Sequence, residues 1–125
     1  MSEKSDKALA RASLFEPYLS AKARANPGTS CPATALAADV AREPTGAPVH
    51  AAYSAGLEQL VDILASVQGI DDASASRYQA LVDLSMMAGA LLLARATEGQ
   101  AISDELLAAA RRHLAARPSS RSARA

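Results

Sequence analysis

Between Tyr78 and Ala96 the chain repeats apolar residues at helical spacing on two faces at once. Tyr78, Leu81, Val82, Ser85, Gly89, Leu92, Leu93 and Ala96 fall on one side of such a helix, while Leu84, Met87, Ala88, Leu91 and Ala94 cover the other. A helix at the surface of a monomer turns a polar side to water. This one does not, so it is either enclosed by its own subunit or packs its second face on another. A chain of 125 residues has few helices with which to enclose one, and Ala88, Gly89, Ala90 and Ala94 permit close backbone approach. The expectation is a symmetric dimer, with a helix buried centrally inside one subunit as the alternative.

The rest of the chain supplies partners of the same kind. Ala and Leu, strong helix formers, dominate the apolar half of the composition, and the only aromatic residues are Phe15, Tyr18, Tyr53 and Tyr78. An all-α, five-helix bundle follows, as one domain over 1–117 with a disordered Arg/Ser-rich tail over 118–125. The first helix is expected from about Lys7 to Ala25, kinked or reopened at Pro17 and ended by Asn26-Pro27-Gly28. A second starts near Pro32, burying Ala33, Leu36, Ala37 and Val40, and breaks at Pro44 and Gly46. The third begins near Pro48 and carries the clearest stripe, Tyr53, Leu57, Leu60, Val61, Leu64 and Val67, up to Gly69. Asp71, Asp72 and Ser74 offer caps for the fourth, which ends near Thr97 before Gly99. The fifth is expected to be capped by Ser103, with Asp104 and Glu105 in its first turn and Arg111, Arg112 and His113 toward its end, matching the helix dipole. Leu106, Ala110 and Leu114 form its stripe. The expected interface is therefore Leu84, Ala88, Gly89, Leu91, Leu92, Leu106, Ala110 and Leu114, the last two helices of each subunit building an intermolecular four-helix bundle.

Charge and cysteine content narrow the function. Thirteen basic and thirteen acidic residues balance, so no overall field draws nucleic acid or an anionic membrane. From Arg111 onward there are basic residues (Arg111, Arg112, Arg117, Arg121, Arg124) and no acid, which reads as a solvated helix end and tail. Cys31 is the single cysteine, so no internal disulfide or multi-cysteine zinc site can form. The charged N-terminus does not read as a signal peptide, and the oily stretch Leu84 to Ala94 is shorter than the roughly twenty residues of a membrane span. The expected location is the cytoplasm. No phosphate-binding glycine loop, His-Glu-x-x-His, Cys-x-x-Cys or nucleophile elbow is present. Asp62 and Asp83, on neighbouring helices, read as solvated faces or partners of arginines, and neither catalysis nor a metal nor a cofactor is expected.

Candidate binding residues each have a plainer reading beside them. Cys31, at a helix N-terminus, is a candidate redox thiol or a small buried residue at a tight helix start. His50 and Tyr53 are placed to line a cavity, although Tyr53 also belongs to the core stripe. Met86 and Met87 suit an adaptable apolar pocket or ordinary core, and Phe15 and Tyr18 are further candidates for a pocket wall. His113 reads as a helix-end charge.

Three stretches carry a resemblance. "YLSAKARANPGTSCPATALAADVAR", "AAYSAGLEQLVDILASVQG" and "LVDLSMMAGALLLARATEGQAISDELLAAARRHL", in this order over roughly residues 14–116, resemble the C-terminal domain of TetR/AcrR-type transcriptional regulators. The resemblance implies an effector-binding and dimerisation domain: a small apolar effector among the earlier helices, and a homodimer through the last two. That family carries its helix-turn-helix ahead of this region, and only about a dozen residues, MSEKSDKALARA, precede the matching segment. The expectation is that these residues reach DNA only through a helix-turn-helix they do not contain. The alternative is a headless interaction module that forms mixed dimers with an intact regulator.

Overall fold

The computed structural model describes residues 3–28 and 31–116, with side chains from Asp6 onward. The tail expected over 118–125 lies outside these residues, as does Arg117. Among the described residues there are six helices and no strand: α1 Glu3–Tyr18, α2 Ala21–Ala25, α3 Pro32–Ala41, α4 Pro48–Ser66, α5 Ala73–Ala96 and α6 Ala101–Ala116. The all-α class holds. The five expected helices become six because the first is divided.

That division falls after Pro17, which sits within the last turn of α1. Ser20 makes the break: its hydroxyl donates to the Pro17 carbonyl (2.7 Å) and accepts from the Ala23 amide (3.0 Å), so that it caps α2. A carbonyl at the break and one in α2 are met by arginines from the far end of the chain. Arg111 donates to Leu19 O, and Arg95 donates to Ala23 O at 2.9 Å. Arg24 of α2 reaches back to Ser103 Oγ (2.8 Å) and Asp104 Oδ1 (2.7 Å). Ser103 is therefore not the cap expected of it. It lies inside the first turn of α6, buried, and donates to Ala94 O (2.6 Å), closing the α5–α6 corner.

Other boundaries follow local chemistry. Pro32 and Pro48 stand in the first turns of α3 and α4, where a missing N–H costs nothing. Asp72 caps α5 by accepting from Ala75 N at 2.9 Å. Gly99 turns the chain from α5 into α6 with φ +91°, a backbone region that disfavours a side chain.

α5 is the central element and contacts all five other helices. Its inner face is Ser76, Ala80, Asp83, Leu84, Met87, Ala90, Leu91 and Ala94, packed with Phe15, Leu19, Val61, Leu64, Leu107 and Leu114. α5, 24 residues long with a most apolar 18-residue window of mean hydropathy 1.3, is long and apolar enough to cross a membrane; core helices of folded domains share those properties. The oily run Leu84 to Ala94 is only part of this helix, mostly within its C-terminal half.

A polar cluster is built into the core. Asp83 has no exposed surface and accepts from Gln68 Nε2 (2.9 Å) and Gln79 Nε2 (3.2 Å). Gln68 Nε2 also donates to Leu64 O (3.0 Å), and buried Arg11 of α1 donates to Val67 O (3.2 Å) and Gln68 O (3.4 Å). Of the two readings of Asp62 and Asp83, solvated faces or partners of arginines, the solvated one is corrected for Asp83: Asp62 is exposed on α4, whereas Asp83 is buried and ties α5 to Gln68 just past α4. At the surface, Arg77 of α5 grips Glu58 of α4 through two bonds of 3.0 and 3.2 Å, which holds the Glu58 carboxyl below its usual range. Because removing one partner strands buried donors, Asp83→Ala is expected to lower the unfolding free energy in urea by about 1–3 kcal/mol. Ile63→Ala, half exposed on α4, is the comparison and is expected to change it by less than about 1 kcal/mol.

Candidate functional site

The stripe on α4 does two jobs. Val61 and Leu64 enter the core, whereas Tyr53, Leu57 and Leu60 face an open groove between α3 and α4 of about 440 Å³. Leu36 and Val40 of α3 and Val49, Ala52 and Gly56 of α4 complete its apolar walls, with Cys31 and Pro32 at the start of α3. Leu36 was expected to be buried but is 47% exposed, while Ala33 and Val40 on the same helix are buried. The reason is the way α3 is held. Tyr53 Oη donates to Ala33 O, so a phenol ring stands between the two helices as a strut. Tyr18 Oη is bonded to Thr34 Oγ1 from the α1 side. Two tyrosines thus tie the start of α3 to α1 and to α4.

Both phenols are less acidic than a solvated tyrosine. Burial pushes Tyr18 up to about 12, against the hydrogen bond from Thr34 that pulls the other way, and the Cys31 thiol adds to the rise. Burial also raises Tyr53.

The residues singled out from the sequence do not gather at one place. Tyr53 and Cys31 meet in the groove. Tyr18 and Met87 share a separate recess of about 80 Å³ with Leu14, Leu60 and Ile63. Phe15 is a core residue with 1% of its surface exposed, so its expected role as a pocket wall is corrected: it packs against apolar neighbours on every side. Met87 is likewise buried, and Met86 packs against the core from its edge. His50 does not line the groove; its ring Nε2 lies 3.0 Å from Glu43 O, bracing the turn between α3 and α4. Cys31 is half-buried, precedes Pro32 as the cap residue of α3, and its thiol makes no capping hydrogen bond. Sequence reasoning missed Leu36, Val49, Ala52 and Gly56. A signal for them existed in the small residues Ala52 and Gly56, four apart and in line with Leu60, which leave one side of α4 thin. Among the described residues no group of three or more His, Cys, Asp or Glu is arranged to hold a metal ion.

The second surface is the outer face of α5. Tyr78 is 67% exposed and Leu93 54%, with Leu81, Val82 and Leu92 also open and Ile102 of α6 nearby in the chain. The alternative of a fully enclosed helix is thereby set aside within the subunit. The expected interface list needs correction: Leu84, Leu91, Ala110 and Leu114 are buried in the subunit's own core, with no exposed surface at Leu91 or Leu114. Ala88, Gly89 and Leu106 are half-buried and Leu92 is exposed. When both faces of a helix are apolar, spacing alone does not tell inside from outside. The polar residues decide here, because Asp83 and Ser76 must meet partners within the subunit, Ser76 donating to Ala65 O at 2.8 Å.

No protein-family model matches the chain, and no curated protein and no solved structure matches it.

The raised Tyr18 has a readable consequence. A phenol whose folded pKa exceeds its unfolded value near 10 stabilises the fold fully below that pH and loses this contribution as the pH climbs toward 12. In an absorbance titration of phenolate formation, Tyr18→Phe is expected to delete the step near pH 12, and to flatten the fall in thermal stability above pH 10.

Proposed function

We propose that this chain is an effector-binding and dimerisation domain of the TetR/AcrR type, which joins a second copy of itself through the outer face of α5 with α6 alongside. The observation that carries the reading is the apolar outer face of α5: Leu81, Val82, Leu92 and Leu93 stay exposed on a helix whose opposite face already fills the core. Burying such side chains against a symmetric copy contributes favourable free energy in proportion to the apolar area removed from water. The flat centre of that face is Gly89, where an added Cβ meets nothing within 4 Å, so a second helix can approach closely. The ordered sequence resemblance over roughly residues 14–116 supplies the regulatory part of the reading. In it, the groove between α3 and α4 receives the effector, and operator recognition belongs to a helix-turn-helix that is not among residues 1–125.

The outward position of Gly89 gives a clean test. Light scattering over a concentration series is expected to return twice the chain mass for the parent, and a single folded chain for Gly89→Arg with unchanged helical circular dichroism. A parent that stays monomeric at every concentration, or a Gly89→Arg variant that still dimerises, sinks the proposed interface.

A further inference from the structure

The groove between α3 and α4 differs in lining from the other large recesses among the described residues. One of those is bordered by Glu16, Asp104 and Arg111 and another by Lys22, whereas no charged side chain lines the groove. We infer that it binds a neutral, largely hydrocarbon small molecule, seated between α3 and α4 with the Tyr53 hydroxyl and the Cys31 thiol as its polar neighbours. The inference deepens the effector-binding reading and rests on it for its regulatory meaning, while the binding itself rests on the groove.

Size and shape both fit. About 440 Å³ lies within the range of small-molecule sites, roughly 300–1,000 Å³. Leu36 and Val49 stand exposed at its mouth, and a bound hydrocarbon would remove them from water. Its α4 wall is thin at Ala52 and Gly56, and a Cβ built on Gly56 meets nothing within 4 Å, which leaves room for a flat ring against the helix backbone. The bond from Tyr53 to Ala33 O bridges the helices at the Cys31 end.

The lining also excludes ligand classes. A carboxylate, phosphate or ammonium placed there would surrender its water without a charged partner in return, a cost of several kcal/mol. Tyr53 already uses its proton on Ala33 O, so its oxygen is left as an acceptor for one ligand O–H or N–H.

The test uses two fluorescent probes that share an anilinonaphthalene frame, neutral N-phenyl-1-naphthylamine and anionic 8-anilinonaphthalene-1-sulfonate, titrated into the full chain and into Gly56→Leu. The neutral probe is expected to bind the parent saturably at one per chain, and the sulfonate at least about tenfold more weakly at the groove. Gly56→Leu, which places a side chain in the open space, is expected to weaken the neutral probe at least about tenfold with helix content and solution mass unchanged. Gly89→Arg is expected to bind the neutral probe as the parent does, since it alters the other surface. Failure of the parent to bind the neutral probe, equal binding by Gly56→Leu, or an equally tight sulfonate signal that Gly56→Leu abolishes would each overturn the inference. Loss of binding with the dimer intact removes the groove and leaves the dimerisation reading standing; a monomer that still binds the neutral probe does the reverse.

Discussion

The rotational setting of α5 governs the rest of the molecule. A helix that touches every other helix must choose which of its faces they see, and here the buried carboxylate of Asp83 makes the choice. An ionisable group without exposed surface is tolerable only where donors surround it, and Gln68 and Gln79 supply them. With Asp83 turned inward, Ala80, Met87, Leu91 and Ala94 follow into the core, and Tyr78, Val82, Leu92 and Leu93 are turned out. Rotating the helix to hide the second set would bring the carboxylate toward water, but would also strip Gln68 of its partner and expose the first set.

Around that axis, the amino-terminal third is assembled by hydrogen bonds to a broken backbone. The interruption at Leu19 and Ser20 frees the Leu19 carbonyl, which Arg111 satisfies from α6, and Arg95 of α5 donates to Ala23 O at the end of the short α2. These are contacts between chain segments more than seventy residues apart. They fix α2 on the α5–α6 corner that Ser103 closes.

The groove is a by-product of the same strategy. α3 is tied at its first turn by two tyrosine hydroxyls and buries Ala33 and Val40, while Leu36 is left exposed on the groove. The two candidate surfaces differ in kind. The outer face of α5 is open where its opposite face fills the core; the groove runs between α3 and α4, which a Tyr53 hydrogen bond links. They lie on different faces, and α5 joins them, since it packs against both α3 and α4.

Much of the helical plan was legible in the sequence because its signals are local. Prolines 32 and 48 open helices, Asp72 caps one, and glycines 69 and 99 follow the ends of others, each by backbone chemistry confined to a few residues. The two-faced pattern of α5 was equally plain. What spacing left undecided were matters of partnership across long stretches of chain. Ser103 looked like a cap until Ala94 O and Arg24 claimed it; Asp83 could be solvated or an arginine's partner by spacing, and is buried against Gln68; Leu36 shares a helix with buried Ala33 and Val40 yet stays exposed on the groove. Sequence alone determined that the chain is helical and that α5 is apolar on both faces, because helix propensity and periodicity are properties of neighbouring residues. Only the tertiary structure decided which face of α5 is inside and where a cavity remains, because both depend on where distant polar atoms find their partners.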